Sequence, residues 1–243
     1  MHAIRFLNSS SITILMLLVL ATSAGASPTV SVNWGTCPFP AGSSTNRNMG
    51  VAPRDTITVT AKGLSGPVRA SEVRLHFRSP GGLADAWRYD DAGCEAGRAS
   101  LENASAGDAC PPLLGANPQR IANFRYDDLS QMARIVYAQA FDVLNADPNV
   151  TYTLGRFTFD HSAPDPCGCL ETPVCIDISY ATYLDGTTNE IPFTPSGPGY
   201  LTWNDPTNTS RCPYFDDFAT INGNCGPTPA RAGSWGSLKA SYR

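Results

Sequence analysis

Val73, Leu75 and Phe77 alternate with Glu72, Arg74, His76 and Arg78 along one unbroken stretch of chain. Side chains two apart share a face of a strand, so this segment buries one side and wets the other as β structure. On a helix the same residues would scatter around the axis. The period recurs in Val30–Trp34, Asp55–Ala61, Tyr152–Asp160 and Val174–Tyr180, and in the shorter Ile121–Tyr126 and Tyr200–Trp203. Within Val174–Tyr180 it predicts Val174, Ile176, Ile178 and Tyr180 on one face. In Tyr152–Asp160, Leu154 is out of phase with Phe157 and Phe159, and Gly155 between them predicts a bulge.

Asp128–Leu144 carries two patterns. Leu129, Met132, Ile135, Val136, Val143 and Leu144 fit one helix face behind an Asp127 or Asp128 cap, with a short helical turn before Pro148 also open. Ile135, Tyr137, Gln139 and Phe141 fit a strand over Ala133–Phe141. The strand is preferred, because β-branched and aromatic residues suit a pleated surface. Turn signals punctuate the chain at Ser79-Pro80-Gly81-Gly82, Asp147-Pro148-Asn149, Asp185-Gly186, Ser196-Gly197-Pro198-Gly199 and Asn222-Gly223. Many short strands with regular turns predict an all-β, disulfide-bonded β-sandwich of Ig-like or jelly-roll type, with long loops.

The N-terminus reads as an address. A basic start is followed by the apolar run Ile12–Leu20 and by small residues up to Ala26, the layout of a secretory signal peptide. Its core is too short to cross a hydrocarbon layer of ~30 Å as a helix. The expected organisation is a signal peptide over 1–26, one sandwich domain over 27–225, and a linker with a short tail over 226–243. No later segment is long and apolar enough to span a membrane as a helix. The net charge is only −4, Lys62 and Lys239 are the only lysines, and the arginines are scattered, which argues against nucleic acid.

All eight cysteines follow the predicted leader: Cys37, Cys94, Cys110, Cys167, Cys169, Cys175, Cys212 and Cys225. An even count in an exported chain predicts disulfides, with a connectivity that sequence alone leaves open. Spacing favours Cys94 with Cys110, then Cys167 or Cys169 with Cys175, a remaining member of that trio with Cys225, and Cys37 with Cys212. A zinc or copper reading of Cys167-Gly168-Cys169 is disfavoured by the CxC spacing and by the absence of a nearby following histidine.

The ending Trp235-Gly236-Ser237-Leu238-Lys239-Ala240-Ser241-Tyr242-Arg243 resembles a short C-terminal tail found on exported proteins of some bacterial lineages. Thr172–Ile176, the cysteine-rich run before it, and Asn224-Cys225-Gly226-Pro227 are similar to one set of such proteins. The resemblance implies a bacterial exported protein, with Trp235, Gly236, Lys239, Tyr242 and Arg243 in a sorting or surface-attachment signal. The alternative is an amphipathic C-terminal turn docked on the domain. Separately, the run of Tyr152-Thr153-Leu154 into Phe157-Thr158-Phe159 resembles cohesin-type sandwiches, which implies architecture and no function.

Catalytic constellations are scarce. Only His76 and His161 lie beyond the leader, and no Gly-x-Ser-x-Gly elbow accompanies them. The adjacent pairs Asp90-Asp91, Asp127-Asp128 and Asp216-Asp217 suit loops better than a two-carboxylate device, whose members must face each other. Asn145-Ala146-Asp147-Pro148-Asn149 begins like an EF-hand loop but has Val150 and Arg156 where Gly and Glu belong. No cofactor is expected; structural calcium at Asp90, Asp91, Asp216 or Asp217 stays open, and no other metal site is predicted. Asn103, Asn149 and Asn208 head glycosylation sequons, which matter only in a eukaryotic source.

These features predict a secreted or cell-surface module without enzymatic activity, structural, adhesive or protein-binding. Its expected partner is a protein or glycan at the cell surface. A carbohydrate-binding module is the alternative, with Trp87, Tyr89 and Trp203 as stacking residues. A secreted hydrolase using His161 with Asp160 is a second alternative.

Overall fold

The computed structural model describes residues 27–39, 45–48, 54–79, 82–161, 167, 172–196 and 199–204. Its strands are β1 (Thr29–Trp34), β2 (Asn46–Arg47), β3 (Arg54–Lys62), β4 (Gly66–Arg78), β5 (Ala99–Glu102), β6 (Gln119–Asp127), β7 (Met132–Ala146), β8 (Tyr152–Asp160), β9 (Val174–Asp185), β10 (Glu190–Pro192), β11 (Thr194–Pro195) and β12 (Tyr200–Trp203). One 3-10 turn, Asp85–Trp87, interrupts them. The strands form a five-stranded sheet, β11-β1-β3-β8-β5, and a seven-stranded sheet, β2-β12-β9-β4-β7-β6 with β10 paired to β9. Most neighbours are antiparallel; β1 with β11 and β12 with β2 are parallel. The fold is a disulfide-bonded β-sandwich, and each predicted strand is present.

Alternation decides which side of the long large-sheet strands is buried, whereas β3 and β8 of the small sheet are buried on both sides. Val73, Leu75 and Phe77 of β4 lie in the core, as do Ile135 of β7 and Ile176 of β9. From the small sheet, Ile57 and Val59 of β3 and Phe157 and Phe159 of β8 meet them. Each such side chain contributes roughly 1.5–3 kcal/mol on burial. Phe77 and Phe159 meet edge to face across the two sheets, with centroids 5.7 Å apart.

Asp128–Leu144 resolves as the strand reading. β7 runs as far as Ala146, without a helical turn before Pro148. Its buried Gln139 is held rather than merely tolerated. Gln139 Oε1 accepts from the Tyr137 hydroxyl at 2.8 Å, and Nε2 donates to Ser71 Oγ at 2.9 Å and to the Leu113 carbonyl at 3.0 Å. Burial pushes the Tyr137 hydroxyl up to about 12, so it stays a donor.

The irregularity expected near Gly155 falls beside it. Val59 pairs with Gly155 and Thr60 with Thr153, leaving Leu154 as the extra residue, and Leu154 turns into the core. Gly155 permits a close approach: a Cβ there would lie 3.0 Å from Phe157 Cζ and 3.1 Å from Tyr137 Cδ1. A second bulge was not legible. Arg74 pairs with Tyr180 but Leu75 pairs with Ile178, so Ser179 is extra and the phase of β9 reverses. Val174 and Ile176 therefore point inward, while Tyr180 stands on the outer face rather than with them.

The disulfides correct the expected pairing. Cys37 joins Cys110 and Cys94 joins Cys167, each with Cα atoms 5.8 Å apart. The Cys94–Cys110 staple fails because β5 lies between the two residues and is drawn out along β8, which carries their loops to different places. Cys37 is consequently not paired with Cys212, nor Cys167 with Cys175. Cys175 is itself disulfide-bonded. Cys169, Cys212 and Cys225 lie outside the described residues, as do the predicted leader and the tail with Trp235, Gly236, Lys239, Tyr242 and Arg243.

Candidate functional site

The outer face of the seven-stranded sheet gathers the polar halves of four alternating strands. Register places Gln119, Ala140, Ala70 and Leu184 in one row across β6, β7, β4 and β9. Ile121, Ala138, Glu72 and Thr182 form the next row, and Asn123, Val136, Arg74 and Tyr180 the third. Arg125, Arg134, His76 and Asp177 form the last.

Small side chains in the first two rows leave a depression. Ala70, Ala138 and Ala140 are its floor, Gln119 and Ile121 one wall, and Tyr180, Thr182 and Leu184 the other; its volume is about 310 Å³. Ile121, on the wall of the depression, is 69% exposed. Glu72 and Glu190 sit at the rim. Both are engaged: Arg74 Nε donates to Glu72 Oε1 at 2.6 Å, and the Tyr180 hydroxyl donates to Glu190. The Arg74 guanidinium carbon lies 4.4 Å from the Tyr180 ring centre, a cation–π contact that exists only because the Ser179 bulge turned Tyr180 outward.

The other end of the face is basic. Arg78 Nη2 reaches both carboxylate oxygens of Asp177, at 2.6 and 2.7 Å. Arg134 and Arg125 form no ion pair among the described residues, and the nearest polar contact of Arg125 is Asn123 Oδ1 at 3.2 Å. His76, between Arg134 and Asp177, is held below the usual histidine range chiefly by burial. Arg78, Arg134 and Arg74 add to the lowering, and Asp177 opposes it. His76 is therefore neutral near pH 7, and the basic character of this end comes from arginine.

The rings expected to stack on sugar are not on this surface. Trp87 and Trp203 are fully buried and Tyr89 is 6% exposed. Trp87 meets Trp203 edge-on at 5.2 Å and Tyr89 at 6.3 Å, while Tyr89 packs on Phe159 at 5.0 Å. The mixed pattern of Trp87-Arg88-Tyr89 arises because the 3-10 turn drives Trp87 between the sheets, and their role is packing. His161 joins the same cluster, its ring centre 5.8 Å from Trp87 and 5.4 Å from Trp203, with Nδ1 3.5 Å from the Tyr89 hydroxyl. Asp160 receives Arg54 Nε at 3.0 Å. The two residues of the hydrolase alternative thus face a packed cluster and an ion pair.

Among the carboxylates considered for calcium, Asp90 accepts from Arg88, which also lies 4.1 Å from the Tyr126 ring centre. Asp127 accepts from the Leu129 amide in the turn after β6. Among the described residues no group of three metal-ligating side chains comes together. Asp91 is exposed in a turn, and Asp216 and Asp217 lie outside the described residues. No helix among the described residues is long and apolar enough to cross a membrane.

No family model matches the chain, and no curated protein matches it. Solved structures similar to it include cohesin modules. A type II cohesin domain from the cellulosome of Acetivibrio cellulolyticus has 10% identity and a TM-score of 0.42, over 74% of this chain and 96% of that one. The cohesin module of a family 33 glycoside hydrolase from Clostridium perfringens gives 10% and 0.33, over 72% and 93%. A non-cellulosomal cohesin from Archaeoglobus fulgidus gives 9% and 0.32, over 73% and 90%. Likeness at this level assigns neither a family nor a partner to the chain.

Proposed function

We propose that the chain is an exported, non-enzymatic protein-interaction module that docks its partner on the outer face of the seven-stranded sheet. The observation that carries this reading is the alanine-floored depression beside the exposed Ile121, on the face that also carries Arg125 and Arg134. An apolar floor flanked by fixed charge suits a partner that inserts an apolar ridge and presents carboxylates to Arg125 and Arg134. Export is supported by the disulfides, which persist in oxidising compartments. The signal over 1–26 and the sorting role of Trp235–Arg243 belong to the same proposal.

The test uses the mature disulfide-bonded chain as bait in extracts of its source, compared with Ala140→Arg and with the double variant Arg125→Glu, Arg134→Glu. A partner retained by the native chain and lost from both variants, then bound in purified form with an affinity that falls as salt rises, is the expected result. Equal retention by all three baits overturns the reading.

A further inference from the structure

The large sheet ends on β6. Its nine residues pair with β7 from Gln119–Ala140 to Asp127–Met132 without a register shift. Among the described residues, no backbone hydrogen bond reaches its other edge. Long edges of this kind recruit further strands, and proteins ordinarily blunt them with proline, charged side chains, a bulge or shortness. The charges of β6 are Arg120, Arg125 and Asp127, and a register that opposes none of them to its like leaves the edge open to pairing. Gln119–Asp127 contains neither proline nor lysine, carries no bulge, and exceeds the usual strand length of about 5–6 residues.

A second observation points to the same place. Among the described residues the large apolar side chains left exposed are Ile121 at 69%, Leu129 at 98% and Val143 at 44%. Ile121 is on β6, Val143 is on β7, and Leu129 is in the turn between them. Among the described residues, the exposed large apolar side chains therefore fall on one edge hairpin.

We propose that β6 pairs edge to edge with β6 of a second copy of this chain, antiparallel and centred on Asn123. A two-fold axis normal to the sheet requires opposed residues to share a face, so the centre must fall on a residue. Centring on Asn123 uses the whole strand. It sets Asn123 against Asn123, Ile121 against Arg125, and Gln119 against Asp127 on the outer face. On the inner face Arg120 meets Tyr126 and Ala122 meets Phe124. No like charges are opposed in this register, whereas centring on Arg120 or Arg125 would set arginine against arginine. The Arg125 stem covers the partner copy's Ile121. Leu129 comes beside the other copy's Asn117, whose side chain is bonded to Asp142 next to Val143. The two large sheets join into one continuous sheet, and their outer faces stay open. The alanine-floored depression stays open, but its rim residues Gln119 and Ile121, with Arg125, border the seam. Asn123 lies outside the depression, so its variants test self-pairing while Ala140→Arg tests docking.

Sedimentation of the mature chain over a range of concentrations tests the pairing. A monomer–dimer equilibrium is expected, with β6 amides exchanging more slowly with deuterium as concentration rises. Asn123→Lys opposes two ammonium groups across the axis and is expected to weaken self-association by about tenfold or more. Asn123→Asp does the same with two carboxylates. An equimolar mixture of the two variants recovers dimers, because Lys then faces Asp. Asn123 is half-exposed and outside the depression, so circular dichroism of both variants is expected to match the native chain. A chain that stays monomeric throughout, a dimer whose β6 amides gain no protection, or a mixture no more associated than its components overturns the proposal.

Discussion

Cys94 is bonded to Cys167 across 73 residues, and Glu95 Oε1 lies 3.0 Å from the Cys167 sulfur. Glu95 is buried and held by Arg98 Nη1 at 2.8 Å. The bridge pins the loop after the 3-10 turn to the segment following β8. Closing a loop of this length removes about 4 kcal/mol of chain entropy from the unfolded state. The double variant Cys94→Ala, Cys167→Ala, which leaves no odd thiol, is expected to lose stability of that order in guanidinium unfolding. A change below about 1 kcal/mol would show that the bridge constrains nothing the sheets do not already hold.

Trp87 fills the space between the sheets against Phe77, Phe159 and Trp203. Trp87→Ala is expected to destabilise by about 3–5 kcal/mol, the cost of a large aromatic cavity. Tryptophan emission of a Trp235→Phe chain, which retains Trp34, Trp87 and Trp203, is expected to be blue-shifted and poorly quenched by iodide, since those three are buried. Ready quenching of most of the emission would contradict the placement of these rings.

Two carboxylates are expected to titrate in opposite directions. Asp185 accepts from Thr187 Oγ1 at 2.7 Å, the Thr187 amide at 2.8 Å and the Asn189 amide at 2.9 Å, which holds it below the usual aspartate range. Its contribution is present above the unfolded value near 3.8 and is lost as pH falls through the folded value. Asp55 is raised, because burial outweighs the charge and hydrogen bond of Arg47 at 3.0 Å. Its contribution is full below 3.8 and is lost as pH rises through its folded value. Carbon-13 NMR titration of the side-chain carboxyls checks both; an Asp55 midpoint at or below that of Asp185 would refute the assignment.

Gln139 holds β7 to Ser71 of β4 and to the Leu113 loop. Gln139→Leu leaves the Ser71 hydroxyl, the Tyr137 hydroxyl and the Leu113 carbonyl in the interior without it, each at about 1–3 kcal/mol if unsatisfied. Gln139→Leu is expected to be clearly destabilised in thermal unfolding. Adding Tyr137→Phe, which removes one orphaned hydroxyl, is expected to recover part of the loss. Equal stability of the native and Gln139→Leu chains would remove the network as a support of the fold.

Alternation along single segments was enough to fix where the chain is extended and, for β1, β4 and the first half of β9, which side is buried. The reason is local: strand geometry forces neighbours to opposite faces, and the large sheet keeps its outer face wet. β3 and β8 of the small sheet are buried on both faces, Thr58, Thr60 and Thr158 included. What escaped the sequence depends on residues far apart in the chain. The Ser179 bulge is set by how β9 must follow β4, and it alone decides that Tyr180 meets Arg74 instead of the core. Trp87 and Trp203 became core because the 3-10 turn and β12 are carried to the same end of the sandwich. The pairing of Cys94 with Cys167 follows from β5 lying along β8. The depression needs Ala70 from one strand beside Ala138 and Ala140 from another, and an alanine in a single alternating run carries no sign of what will stand next to it. The sequence by itself determined an extended, bridged chain with one wet side; tertiary register decided what that wet side presents, because the register of pairing, not local preference, chooses each side chain's neighbours across a sheet.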